Sequence, residues 1–286
     1  MGSPALIPTA AGVRAWRAMR LRAGETVALV PTLGNLHAGH AALIDRARAM
    51  ADFVMISVFV NPTQFAPGED YAQYPRTLDR DRELAGEHDA DAIFAPAPDE
   101  MYPHGTEAAV AVEVPGLSDV LCGASRPGHF RGVASVVARL FNLVAPEFAI
   151  FGEKDFQQLL IVHRMTEELF FPIEIVGMPT VREPDGLALS SRNLYLTPEE
   201  RRRAPVLYAT LRAAAAALAA GAKPADVEAE GEGELEGAGL RPDYFAVQRA
   251  ADLGAPEGGA ELVVLAAAWL GKTRLIDNIR VPPRNS

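Results

Sequence analysis

The sequence predicts an α/β protein: a doubly wound parallel sheet with a smaller C-terminal α+β domain. Two patterns carry this prediction. Between residues 26 and 179, short apolar or β-branched runs alternate with stretches of helical period, as βαβ units around a parallel sheet require. Beyond Pro179 a long helix is followed by several strand candidates, a different arrangement. The chain has 286 residues, enough for one large domain or two modest ones. The expected domains are residues 1–180 and 181–286.

Residues 26–30 (TVALV) read as the first strand, and residues 40–51 as a helix with Leu43, Ile44, Ala47 and Met50 on one face. Residues 53–60 (FVMISVFV) are continuously apolar, the mark of a strand buried on both faces of a parallel sheet. Residues 78–87 form a short charged helix, and strands are expected at 92–95 and 110–114. Val133, Val136, Val137, Leu140 and Val144 repeat at helical spacing. A strand at 148–151, a helix at 156–169 and a strand at 173–178 complete the first part. Thr197-Pro198-Glu199-Glu200 then opens a helix, with Thr as N-cap, Pro at the first position and Glu200 closing a capping box. That Ala-rich helix runs to about residue 220 and stops at Gly221. Residues 228–239 are acidic and Gly-rich, helical at first and then loop. Strands at 244–248, 262–267 and 274–279 end the chain, and no internal repeat is visible.

Composition narrows the function. A net charge of −10 argues against a general nucleic-acid binder, because that task needs Lys and Arg to replace counterions. The lone cysteine, Cys122, can form neither an internal disulfide nor a thiolate cluster, which fits a reducing compartment. No apolar run reaches the ~18 residues of a membrane span. The first residues lack the basic-then-apolar pattern of a secretory signal, so a cytoplasmic location is expected. Lysine is nearly absent, surviving only at Lys154, Lys223 and Lys272, while arginine is common. A retained lysine is a candidate for a site that needs a compact point charge.

Ligands of doubly wound sheets sit at the carboxyl ends of the strands; three of the five segments that carry chemistry lie at such ends, the fourth follows the turn Glu183-Pro184-Asp185-Gly186, and the fifth precedes a helix. Pro31-Thr32-Leu33-Gly34-Asn35-Leu36-His37-Ala38-Gly39-His40 joins the first strand to its helix. Phosphates are expected there on free backbone N–H groups and the helix dipole, with Gly34 and Gly39 allowing close approach. His37 and His40 could donate to phosphate oxygens as charge builds in a transition state. The plain alternative is two histidines capping a helix. Asn61 and Gln64, in Phe59-Val60-Asn61-Pro62-Thr63-Gln64-Phe65, offer neutral donors and acceptors suited to a small hydroxy acid; otherwise the segment is an ordinary Asn-Pro turn. In Gly152-Glu153-Lys154-Asp155-Phe156-Gln157-Gln158 the lysine can reach phosphate and Asp155 a ribose hydroxyl, or Asp155 simply caps the helix. Leu189-Ser190-Ser191-Arg192 can clamp a triphosphate, and Arg126-Pro127-Gly128-His129-Phe130-Arg131-Gly132 is an anion-friendly loop.

The His-x-Gly-His turn with a later Ser-Ser-Arg loop resembles the adenylate-forming nucleotidyltransferases, which include the class I tRNA synthetases. With FVNPTQF, YPRT, RPGHFRGV, FGEKDFQQL, VREPDGLALSSRN and a C-terminal Asp277-Asn278-Ile279, the chain resembles the pantoate–β-alanine ligase family over nearly its whole length. The resemblance implies a Rossmann-like sheet and a two-step reaction. Pantoate is adenylated by ATP with Mg²⁺, and β-alanine then displaces AMP. It implies catalytic roles for His40, His37, Lys154 and Arg192, with His40 donating a proton. It places Leu33, Gly34, Asn35, Leu36, His37, Ala38, Gly39, His40, Gly152, Glu153, Lys154, Asp155, Val181 (through its backbone), Leu189, Ser190, Ser191 and Arg192 at ATP. It places Gln64, Gln158, Asn61 and His129 at pantoate, and Gln64 also at β-alanine, with Tyr74 and Arg126 completing the pocket. No protein-held metal, nucleic acid or membrane is implied, and a homodimer is expected.

The chain departs from that family at Leu33 and Leu189, where methionine is usual. These apolar swaps of similar volume should be tolerated. Asp79-Arg80-Asp81 is less acidic than its counterpart, so no metal or amine role is assigned to that segment. Two other classes stay open. A related adenylyltransferase would lack the paired glutamines and need more basic charge at its acceptor site. A non-catalytic nucleotide-binding module would not need His37, His40, Lys154 and Ser-Ser-Arg intact. If one triphosphate touches both His37/His40 and Ser190–Arg192, the two parts must close over it, with the hinge near residues 179–181.

Overall fold

Four consecutive residues of the second strand, Val27 to Val30, and three of the third, Val54 to Ile56, are wholly buried. Continuous burial of this kind requires cover on both faces, and the sheet supplies it. In the computed structural model, which describes residues 2–283, strands β1 (Ala5–Ile7), β2 (Val27–Thr32), β3 (Phe53–Val58), β4 (Ala92–Phe94), β5 (Phe148–Gly152) and β6 (Glu174–Met178) form one sheet of order β1-β4-β3-β2-β5-β6. All its pairings are parallel. The connecting helices are α1 (Ala10–Ala23), α2 (Ala38–Met50), α3 (Leu78–Glu87), α4 (Pro98–Met101), α5 (Cys122–Ser125), α6 (His129–Val144) and α7 (Phe156–Glu168). The chain winds outward from β2 through β3 in one direction and continues through β5 and β6 in the other. The loop leaving β2 therefore lies at the topological switch point, where such sheets bind ligands.

The second unit is built from α8 (Pro198–Arg203), α9 (Val206–Ala220), α10 (Pro224–Gly237) and an antiparallel sheet of β7 (Arg241–Arg249), β8 (Leu262–Leu270) and β9 (Thr273–Val281) in order β7-β8-β9. Leu207, Leu211, Leu235, Phe245, Val264 and Leu270 belong to its own core. Packing divides the chain into two compact units: residues up to Glu153 with Ile161–Pro179, and Lys154–Leu160 with the chain from Thr180 onward. Among the described residues no helix is long and apolar enough to cross a membrane.

The structure corrects several local expectations. Residues 110–114 form no strand. Two of their backbone groups turn to side chains of α6: Val112 N–H donates to Ser135 Oγ at 2.9 Å, and Arg139 Nη2 donates to the Val110 carbonyl at 2.7 Å. The long helix after Thr197 is two helices. Pro205 has no N–H to continue the ladder, and the chain breaks there. The Thr197–Glu200 capping box is present. Residues 228–237 stay helical throughout, because Gly231 meets the ring of Phe245: a Cβ there would lie 2.4 Å from it. That glycine serves close packing and not a turn. β1 and α1 have no counterpart among the elements expected from the sequence. Thr9 caps α1 by accepting from Gly12 N–H, and Arg17 lies buried on its inner side, bound to Glu147.

Candidate active site

The β2–α2 turn is held from behind by a carboxylate. Gly34 and Asn35 both have positive φ, +87° and +52°. A Cβ at Gly34 would lie 2.9 Å from Val58 Cγ1 and 3.1 Å from Asp81 Oδ2, so only glycine fits. Asp81 is 1% exposed. Its Oδ2 accepts Asn35 N–H at 3.0 Å, and its Oδ1 accepts Leu36 N–H at 2.7 Å and the Thr77 hydroxyl at 3.1 Å. Gly34 N–H donates to Thr32 Oγ1 at 3.1 Å.

His37 is the N-cap of α2. Its Nδ1 accepts Gly39 N–H at 3.1 Å, and His40 Nδ1 reaches back to accept His37 N–H at 3.3 Å, a capping box made of two imidazoles. Their rings lie 4.1 Å apart. Because both Nδ1 atoms accept, each neutral ring carries its proton on Nε2. The capping alternative raised by the sequence is thus real, and the cap fixes both tautomers, so that each ring's Nε2–H is a donor. The expected cradle of free backbone N–H groups is largely taken up by the protein itself. The N–H groups of Gly34, Asn35, Leu36, His37, Gly39 and His40 all go to protein acceptors.

Beyond β3 the chain turns through a short 3₁₀ segment, Pro62–Gln64, against α6. A Cβ on Gly132 would lie 2.3 Å from the Thr63 carbonyl oxygen, so this glycine lets helix and turn touch. Asn61 is wholly buried. Its Nδ2 donates to Gln64 Oε1 (3.1 Å) and the Gly132 carbonyl (3.2 Å), while its Oδ1 accepts from Tyr102 OH (2.6 Å) and Thr63 Oγ1 (3.0 Å). Burial raises the Tyr102 pKa, so the hydroxyl stays a donor. With Gln64 Oε1 occupied by Asn61, the amide that Gln64 can offer a ligand is its Nε2.

A second clamp closes on the same turn. Glu69 binds Arg126 through both oxygens, at 2.6 Å to Nε and 2.7 Å to Nη2. Burial works against the Glu69 carboxylate, but hydrogen bonds and charge from Arg126 prevail and hold its pKa below the usual range. Arg126 Nη1 lies 3.0 Å from His129 Nε2, and His129 Nδ1 lies 2.7 Å from the Gln64 carbonyl. A guanidinium only donates and a carbonyl only accepts, so His129 is neutral with its proton on Nδ1. Tyr74 is buried with its ring edge against Phe65. The sequence points to Asn61, Gln64, Arg126 and His129 but carries no signal for Glu69 or Tyr102, and it assigns Asp81 no role. None of the three sits in a motif that announces its partner.

In the second unit Val181 and Leu189 face each other across a hairpin: Leu189 N–H donates to the Val181 carbonyl at 3.0 Å, and Gly186, φ +95°, makes the turn. Ser190 Oγ accepts Arg192 N–H at 3.3 Å and caps a 3₁₀ turn over Ser191–Tyr195. Asn193 Nδ2 donates to the Ala188 carbonyl at 3.0 Å. Lys154 sits in the 3₁₀ turn Glu153–Asp155, which runs into α7. Gln157 is buried and Gln158 half-buried. Among the described residues, no three His, Cys, Asp or Glu side chains gather to hold a metal.

Known proteins resemble this chain in both sequence and fold. A family model described as pantoate-beta-alanine ligase matches residues 5–280. Pantothenate synthetase of Thioalkalivibrio sulfidiphilus is 55% identical over 279 residues, covering 96% of each chain. That of Nitrosococcus oceani is 53% identical over 272 residues, covering 94% of this chain and 93% of its own. The crystal structure of pantothenate synthetase from Thermus thermophilus superposes with TM-score 0.88 at 50% identity, covering 98% of this chain and all of that one. A pantoate-beta-alanine ligase from Francisella tularensis, complexed with beta-gamma ATP and beta-alanine, gives TM-score 0.82 at 31% identity over 96% and 97% of the two chains.

Proposed function

The chain belongs to the pantoate–β-alanine ligase family, and on that premise we propose that it condenses pantoate with β-alanine at the expense of ATP. A pantoate carboxylate oxygen attacks the α-phosphorus, and the bond to the bridging oxygen of the β-phosphate breaks. Pyrophosphate leaves with the electron pair, and pantoyl adenylate remains. The β-alanine amine then attacks the acyl carbon, the acyl–oxygen bond to AMP breaks, and the amine gives up its proton as the amide forms.

The observation that carries this reading is the imidazole capping box at the switch point. Two Nε2–H donors, fixed in tautomer by the helix cap, suit the charge that builds on the phosphates as pyrophosphate departs. His40 and His37, with Lys154 and Arg192 as full positive charges, stabilise that leaving group, His40 by donating the hydrogen bond of its Nε2–H. ATP is bound by Leu33–His40, by Gly152, Glu153, Lys154 and Asp155, by the backbone of Val181, and by Leu189, Ser190, Ser191 and Arg192. Gln64 and Gln158 hold pantoate by their amides, and Gln64 also meets the incoming amine. Asn61 and His129 serve pantoate indirectly, since their polar atoms are engaged in fixing Gln64. Residues 1–180 carry the acid, and residues 181–286 carry the Ser-Ser-Arg contribution.

Mg²⁺ enters with ATP as part of the substrate. It keeps waters and phosphate oxygens as ligands and needs no protein cage. The same reading expects a homodimer acting in the cytoplasm. The paired glutamines and membership of a ligase family favour condensation over an adenylyltransferase or a non-catalytic module. The test is an assay with each substrate omitted in turn. AMP and the amide product should appear one for one, and only when ATP, pantoate and β-alanine are all present. AMP release independent of pantoate would refute the reading.

A further inference from the structure

Two adjacent residues of β9, Asp277 and Asn278, tie together segments that lie far apart in the sequence. Successive strand residues face opposite ways, so the pair can reach two partners at once. Asp277 is 4% exposed and binds Arg182 through both oxygens, at 2.5 Å from Nη1 to Oδ2 and 3.0 Å from Nη2 to Oδ1. Arg182 stands at the base of the hairpin that delivers Leu189–Arg192, bridged to Ala188. The same guanidinium donates to the Gly186 carbonyl at 3.1 Å and stacks on the Tyr208 ring with Cζ 3.5 Å from its centroid. Gly186 itself has no room for a side chain, since a Cβ would lie 2.8 Å from that ring. Base, turn and guanidinium of the hairpin are therefore fixed together, and the anchor is Asp277.

Asn278 is 7% exposed, and its Nδ2 donates to the Lys154 carbonyl at 3.0 Å. Its own N–H donates to Asp277 Oδ1 at 2.8 Å, so the two anchors are coupled. Neither residue is explained by sheet formation, because the β8–β9 ladder is made by backbone groups alone.

We propose that Asp277–Asn278 is a positioning element for the triphosphate. From one point on β9 it sets the direction of the Ser190–Arg192 turn and the place of Lys154, so that the positive charges arrive already ordered. The bidentate fork fixes orientation as well as distance, which a single contact would not. Ordering those groups before ATP binds removes a cost that would otherwise weaken binding. The inference rests on the assignment of Lys154 and Ser190–Arg192 to ATP made above.

The experiment measures KM for ATP and for pantoate, together with Tm, in the full-length wild type, Asp277→Asn, Asn278→Ala and Lys154→Ala. Asp277→Asn keeps the shape but halves the fork. Asn278→Ala removes the side-chain bond to the Lys154 carbonyl and keeps the backbone of the ladder, so it gives a second, milder variant should the first fail to fold. Both should raise the ATP KM roughly tenfold, the order expected for losing one charge-assisted or positioning contact, and leave the pantoate KM within about twofold. A purely structural role would lower Tm and the active fraction without separating the two KM values. An ATP KM within about twofold of wild type in either folded variant, or equal rises for both substrates, overturns the proposal. If Lys154→Ala is impaired while the β9 variants are normal, this inference alone fails. If Lys154→Ala is itself normal, the assignment of the ATP site fails.

Discussion

Asp81 Oδ1 accepts the backbone N–H of Leu36 at 2.7 Å across a separation of 45 residues. With Asn35 N–H on its other oxygen, this buried carboxylate holds the turn that presents His37 and His40. The β2–α2 loop is therefore braced by a side chain from α3 that already engages the N–H groups of Asn35 and Leu36.

Replacing Asp81 tests the brace. In Asp81→Asn one carboxylate oxygen becomes an NH₂ facing a backbone N–H, so at least one buried donor loses its acceptor. The expected loss of stability is about 1–3 kcal/mol, and turnover should fall with it because the histidine pair loses its support. Thermal melts and steady-state rates of the soluble variant check both. Unchanged turnover would show that the brace is not needed for chemistry.

Capping and chemistry can be separated at His37. Asparagine is among the best N-caps, so His37→Asn should leave Tm nearly unchanged. It lacks the Nε2–H donor, and turnover should fall. His40→Ala should lower turnover by roughly 10²–10³, the usual loss for a key transition-state donor. Near-normal turnover in both variants would remove the histidines from the reaction.

Much of this was legible in the sequence. The alternation of apolar runs and helical stretches pointed to the parallel sheet, since a strand whose middle, Val54 to Ile56, is wholly buried needs no polar face. The His-x-Gly-His turn and the Asn61–Gln64 segment were legible because each is local. Asp81, Glu69 and Tyr102 were not, because their partners lie 45, 57 and 41 residues away and only the fold brings them together. Gly231 misled because a glycine chosen for contact with an aromatic ring looks the same in a sequence as one chosen for a turn. Residues 5–23 were passed over because a three-residue edge strand carries little periodicity and the following helix buries an arginine.

Gln64→Ala should damage the use of pantoate specifically. The substitution removes the amide that Asn61 orients, leaving polar groups of the bound acid unpaired at about 1–3 kcal/mol. That corresponds to roughly a ten- to hundredfold rise in pantoate KM, while the ATP KM should barely move. A matching rise in both would mean that the assignment of Gln64 is wrong.

The Glu69–Arg126 pair sets an acid limit. Glu69 has its pKa lowered in the folded protein, so its stabilising contribution is fully present above the ordinary value of 4.5. It is lost as pH falls through the lowered folded value. Below that range the Arg126–His129–Gln64 clamp should loosen and pantoate binding should weaken. In Glu69→Gln that acid step should vanish from a plot of pantoate affinity against pH. Its persistence would assign the step to another group.

The most direct test of the two-step reaction is a rapid-quench measurement with ATP, Mg²⁺ and pantoate in excess over enzyme and no β-alanine. A burst of about one pyrophosphate per active site is expected, followed by a stall with pantoyl adenylate held on the enzyme. Adding β-alanine should then release AMP and the amide together. Pyrophosphate that appears only after β-alanine is added would contradict an adenylate formed ahead of the amine.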